Sequence, residues 1–148
     1  MVVIGSDHSG IELKKKIIKF LEEKHIEFLD VTKTNEEKDD YPDIALTICN
    51  KVNENNGNFG IAICGTGIGI SIACNKVNGV RCAKVNTKRE TMFSRLHNNA
   101  NVMAVSSTIP FMKMKAMVDT FLETEFSKEK RHHRRVDEIN RYGEEHDN

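Results

Sequence analysis

From residue 1 to residue 123 the chain alternates short apolar runs with amphipathic stretches, and few architectures accept that pattern. The runs are "MVVIG" (1–5), "IEFLDV" (26–31), "FGIAIC" (59–64), "GVRCAKV" (79–85) and "NVMAVS" (101–106). Continuous apolarity suits strands buried on both faces, as in a parallel sheet. Between the runs, Leu13, Ile17 and Leu21 recur at helical spacing in "IELKKKIIKFLEEK", with the lysines expected on the opposite, solvated face. Pro42 suits the first turn of a helix in "DYPDIALTICNKV". "GISIACNK", "TKRETMFSRLHN" and "PFMKMKAMVDTFLE" supply the other helices, and "TKTNEEKDD" reads as a polar loop. The expectation is an α/β fold, a five-stranded parallel sheet covered on both faces, as one domain over 1–148. The tail adds a polar helix over 124–142, fraying after Gly143. A helix so poor in apolar residues needs a surface to dock on, and a partner subunit is the favoured one.

Bulk properties narrow the function classes. With 39% hydrophobic and 30% charged residues among 148, the chain can bury a core and is not disordered. Its formal net charge of zero provides no global field for nucleic acid or an anionic membrane. No apolar run approaches the roughly 20 residues that span a bilayer, and "MVVIGSDHSG" does not read as a signal peptide. Cys49, Cys64, Cys74 and Cys82 form no CxxC pair, so reduced thiols in the cytoplasm are expected. The histidines lack metal-ligand spacing, and His132 and His133 face two directions on a helix. Neither metal nor cofactor is expected.

In open parallel sheets, ligands gather outside the carboxyl ends of the strands. Ser6, Asp7 and His8 follow the first strand, and Cys64 to Gly69 follow the third. His97 and Asn98, ending the helix before the fifth strand, are grouped with these ligand loops. The glycine loop has no Gly-Lys-Ser/Thr, and Ile70 stands where a dinucleotide fingerprint needs its last glycine. Its free N–H groups still suit an anion or a developing enolate oxygen. Cys64 is either a small buried hydrophobe or a thiol activated by the following helix. Thr66 is a cap or a ligand hydroxyl, and Asp7 a cap or a ligand. His8 and His97 read as structural or catalytic. Arg131 and Arg135, at i, i+4, read as a solvated patch or a phosphate clamp.

"GSDHSG", "DYPD", "ICGTGIGISIACNK", "RLHNNANVMA" and "RHHRRV", in this order, closely resemble the ribose-5-phosphate isomerase B family, which includes galactose-6-phosphate and allose-6-phosphate isomerases. The resemblance spans about residues 2 to 140. It implies a Rossmann-like three-layer sandwich with an extra C-terminal helix. It also implies a homodimer, sometimes assembled further to a tetramer, whose sites are shared between subunits, with Cys64 and His97 of one site on different chains, and which interconverts aldose and ketose phosphates without metal or cofactor. By motif, Cys64 resembles the family's general base, and His97, helped by Thr66, its ring-opening group. Gly65, Gly67 and Gly69 look like the cradle for enediolate oxygens, with Asn98 beside them and Ile68 and Ser71 among the substrate-binding residues. Asp7 and Tyr41 match contacts to sugar hydroxyls, while His8, Arg131 and Arg135 match the phosphate side. Two departures bear on that side. Thr108 stands where the family often has arginine, and Lys128-Glu129-Lys130 replaces a frequent Gly-Gly. A hexose-6-phosphate isomerase and a non-catalytic phosphate- or nucleotide-binding domain are the competing readings. The binding domain would not require Cys64, His97 and two arginines together.

Overall fold

Five parallel strands lie in the order β2-β1-β3-β5-β4. They are β1 (Val2–Ser6), β2 (Phe28–Asp30), β3 (Phe59–Cys64), β4 (Cys82–Lys84) and β5 (Val102–Ser106). The computed structural model describes residues 1–32 and 40–145, so most of the expected loop "TKTNEEKDD" and the last three residues lie outside the described residues. The helices are α1 (Ile11–Glu23), α2 (Tyr41–Asn53), α3 (Ile68–Cys74), α4 (Lys88–Asn98), α5 (Phe111–Glu123) and α6 (Lys130–Glu145).

The three central strands are almost wholly buried, which is why they are continuous apolar runs in the sequence. Their side chains alternate between two cores. Ile4, Ile61, Ile63, Met103 and Val105 pack with Leu13, Ile17 and Leu21 of α1 and Met114, Met117 and Phe121 of α5. On the other face, Val3, Ala62, Cys64 and Ala104 pack with Ile44 and Ile48 of α2 and Ile70 and Cys74 of α3. Consecutive crossovers therefore leave β1 and β3 toward opposite faces, as do those leaving β3 and β5. Each divergence opens a crevice at the carboxyl ends, and β3 borders both.

Three expectations need correction. The edge strands are shorter than the apolar runs at 26–31 and 79–85, because an edge strand has one partner to pair with. The last helix begins at Lys130. Residues 124–129 are instead an irregular stretch, held where the Ser127 N–H donates to the Leu96 carbonyl at 3.0 Å. Nor do all the lysines of α1 face water. The Lys14 side chain is 4% exposed, and its Nζ lies 3.1 Å from the Asp30 carboxylate. Nζ also donates to the Thr32 carbonyl at 2.6 Å and to Thr32 Oγ1 at 2.9 Å, and that hydroxyl in turn accepts the Ser6 N–H.

This network fixes the carboxyl ends of β1 and β2, from which the Asp7 loop departs. Removing one member of a buried pair strands the other charge. Lys14→Ala should accordingly cost about 3–5 kcal/mol, read from urea unfolding. A loss below about 1 kcal/mol, the value of an exposed pair, would contradict the network.

Candidate active site

Cys64 is the last residue of β3 and pairs with Ser106 of β5. The chain then turns through Gly65, Thr66 and Gly67 into α3. Gly67 sits at φ +76°, and a Cβ there would lie 2.8 Å from the Val105 carbonyl carbon and 3.0 Å from the Ser106 nitrogen. Only glycine meets both demands. This close approach delivers the Gly67 N–H to Cys64 Sγ at 3.2 Å, so a partial positive charge faces the sulfur.

The loop is pinned from β5. Ser107 N–H donates to the Cys64 carbonyl at 2.9 Å, and Ser106 Oγ donates to the Gly65 carbonyl at 2.7 Å. Ser106 Oγ also lies 2.7 Å from Thr108 Oγ1, so the exposed Thr108 hydroxyl helps to hold this turn. Thr66 Oγ1 accepts the Ile68 N–H at 3.1 Å, which makes it a local cap whose side chain still faces solvent. Ser71 is buried, and its Oγ donates to the Ile68 carbonyl at 2.7 Å.

Across the first crevice, Asp7 N–H donates to the Ile63 carbonyl at 3.1 Å. The Asp7 carboxylate accepts from the N–H and hydroxyl of Ser9, capping the 3₁₀ turn His8–Gly10. His8 stands exposed at the rim. On the α2 side, the Tyr41 ring packs against Gly69, where an added Cβ would meet Cζ at 2.6 Å. Asp7, His8, Tyr41, Cys64, Thr66, Ser71 and the loop glycines thus share one end of the sheet.

His97, Asn98, Arg131 and Arg135 do not join them within one chain. Grouping His97 with the ligand loops fails because α4 runs antiparallel to the strands and ends where β5 begins. The register pairs Gly60 with Val102 at that end and Cys64 with Ser106 at the other, a separation of roughly 13 Å along the strands at about 3.3 Å per residue.

The second group has its own structure. His97 stacks between Phe93, at a centroid distance of 4.7 Å, and His132 of α6, at 4.4 Å. His132 is 5% exposed, and its Nδ1 has no hydrogen-bond partner among the described residues. Desolvation, followed by the charge of His97, lowers its pKa. Nothing in the sequence pattern assigns His132 a role, since only the α4–α6 contact places it on His97. His132, buried Val136 and Asn140 form the stripe by which α6 packs on its own chain. Arg131 and Arg135 remain exposed on α6, and Arg131 Nε lies 2.7 Å from the Glu129 carboxylate. Among the described residues no three His, Cys, Asp or Glu side chains converge as metal ligands, and no helix is long and apolar enough to cross a membrane.

A sequence model of the ribose/galactose isomerase family matches residues 2–139. The chain belongs to this family. It is 40% identical over 147 residues to a protein of Mycoplasma genitalium named probable ribose-5-phosphate isomerase B, covering 97% of this chain and 96% of that one. Against ribose-5-phosphate isomerase B of Mycobacterium tuberculosis (strain H37Rv), identity is 34%, covering 99% and 91% of the two chains. The fold of this family member superimposes on the Mycoplasma genitalium enzyme crystallised with ribulose-5-phosphate at a TM-score of 0.91, covering 97% and 96% of the chains at 40% identity. For ribose-5-phosphate isomerase B of Clostridium thermocellum the TM-score is 0.89, with 39% identity and 97% coverage of each chain.

Proposed function

We propose that the protein interconverts D-ribose 5-phosphate and D-ribulose 5-phosphate through an enediolate, with Cys64 as the base. The observation that carries this reading is the Cys64 sulfur held 3.2 Å from a backbone N–H, at the mouth of a loop of further N–H groups. Removing the C2 proton of an open-chain aldose needs a positioned base, worth about 10²–10⁴-fold. It also needs donors at the oxygen where charge develops, worth roughly 10²–10³-fold each. The Cys64–Gly69 segment supplies both within a few bonds. Cys64 takes the C2 proton and returns it to C1, while a proton passes from O2 to O1, so nothing is oxidised or reduced overall. His97 and Thr66 open the sugar ring, Asn98 assists at the enediolate, and Asp7 and Tyr41 hold hydroxyls. His8, Arg131 and Arg135 hold the phosphate, with no metal or cofactor taking part.

His97, Asn98 and the two arginines reach Cys64 only from another copy, so the working unit is a homodimer with shared sites. The surface beside the loop supports this. Ile68 and Ile72, one turn apart on α3, are 53% and 60% exposed, an apolar strip next to the site. In this arrangement α6 packs on its own α4 by one stripe and offers its remaining faces to the partner. The cytoplasm is the expected location.

Thr108 favours a second reading. Its short side chain, tied to Ser106, leaves the rim without a fixed cation and with room for a longer sugar, as in allose or galactose 6-phosphate. A panel of these phosphates with ribose 5-phosphate, followed by ketose formation, decides. The expected result is the highest kcat/KM on ribose 5-phosphate. Preference for a hexose phosphate would establish the second reading, and nucleotide binding without turnover would overturn both.

Glu129 has a testable consequence. It pairs with Arg131 at a surface where both side chains are more than half exposed, so the pair is worth at most about 1 kcal/mol. Glu129→Ala should lower KM for the sugar phosphate by up to ~5-fold with kcat nearly unchanged. An unchanged KM would show that the pair does not compete with substrate.

A further inference from the structure

At the end of the sheet remote from Cys64, a cleft of about 480 Å³ opens beside the first residues of β3 and β5, lined in part by Arg81, Arg95, Asn56, Asn99, Asn140 and, as its one carboxylate, Glu144. That size suits a small ligand. Arg95 is buried and Arg81 half-buried. Arg81 Nε donates to the Asn99 carbonyl and Nη1 to Asn140 Oδ1, both at 3.0 Å. Arg95 Nε donates to the Thr124 carbonyl at 3.3 Å, and its Nη1 to Asn99 Oδ1 at 2.9 Å and the Ala100 carbonyl at 2.7 Å.

Every one of these acceptors is neutral. Among the described residues neither guanidinium forms an ion pair, and neither Nη2 group has a hydrogen-bond partner. Burial lowers the pKa of both arginines, and in Arg95 the charge of Arg81 adds to it, as expected of two cations sharing a desolvated site without a counter-charge. Capping the ends of α4 and α5, at the Asn99, Ala100 and Thr124 carbonyls, together with the Asn99 and Asn140 side-chain amides accounts for the Nε and Nη1 bonds. The Phe59 and Phe121 rings, with centroids 4.7 and 5.8 Å from the Arg95 guanidinium carbon, stabilise that cation further. No anion among the described residues neutralises the two cations, whereas buried charges are ordinarily paired. Guanidinium N–H groups are shaped to fit phosphate oxygens.

We propose that this cleft binds a phosphate-bearing small molecule, its phosphate held by Arg81 and Arg95 and its polar body by the asparagine amides. The site stands apart from the Cys64 loop and does not depend on the isomerase reading.

The test is ¹H–¹⁵N NMR of the full chain titrated with inorganic phosphate at ionic strength held constant with chloride. The readouts are the Arg81 and Arg95 Nε–H groups, with Gly67 N–H reporting separately on the catalytic loop. Saturable shifts at both arginines, not produced by chloride, are expected. Arg81→Gln should abolish the Arg95 response. Asn56, exposed and without a partner among the described residues, offers a second variant that spares the fold. Asn56→Asp should weaken binding at least ~3-fold, by adding a like charge near the anion, and leave any Gly67 response unchanged. A parallel titration with ribose 5-phosphate separates a free-phosphate site from a sugar-phosphate site, the tighter ligand naming it. Non-saturating shifts, shifts reproduced by chloride, or an Asn56→Asp titration matching wild type would overturn the proposal. A Gly67 response surviving that failure would leave the Cys64 site standing.

Discussion

Cys64→Ala is expected to lower kcat on ribose 5-phosphate by at least ~10²-fold, the low end for loss of a positioned base, with little change in KM or in the fold. The physical reason lies in what the substitution spares. The Gly67 turn is set by its φ of +76° and its approach to Val105, neither of which involves the sulfur. The Gly65 and Cys64 carbonyls keep their partners Ser106 and Ser107. Donors for the enediolate oxygens therefore stay in place while the base is lost, so binding should persist and proton transfer should fail. Cys49, Cys74 and Cys82 give a built-in contrast. They gather between α2, α3 and β4, where Cys74 interacts with both others and Cys49 Sγ contacts the Cys74 carbonyl at 3.9 Å. Cys74→Ala should alter stability rather than chemistry. Turnover near wild type in Cys64→Ala would remove Cys64 from the mechanism.

What the sequence made legible follows from how local each cause is. Continuous apolar runs identify strands buried on both faces, so the alternation and the sheet could be read directly. The Cys64 loop was legible for a similar reason, since a strand end, three glycines and a helix start lie within a few residues. Non-local causes were hidden. Lys14 looked like one of several solvated lysines because its partner Asp30 stands on β2, across the α1–β2 turn. The start of α6 was misplaced because Ser127 is pinned by Leu96, on a helix far earlier in the chain. His97 misled most. Its nearness to β5 in sequence was clear, but the antiparallel course of α4 decides which end of β5 it reaches. Thr108 and Glu129 were visible as departures, while their partners, Ser106 and Arg131, emerged from the fold.

The separation of Cys64 from His97 turns the shared-site dimer into a numerical expectation. Cys64→Ala and His97→Ala should each be nearly inactive as homodimers, since every site lacks one essential group. In a mixed dimer, one site carries both lesions and the other carries neither. Random re-assortment of equal amounts should therefore restore about one quarter of wild-type sites, from the arithmetic of a two-fold dimer. Differently tagged chains would establish that exchange has taken place, with tagged wild-type protein taken through the same treatment as the control. Activity near one quarter of that control is the result expected from two inactive proteins. Confirmed mixed dimers that stay inactive beside an active control would contradict the shared-site dimer, and would place Cys64 and His97 of each site in one chain.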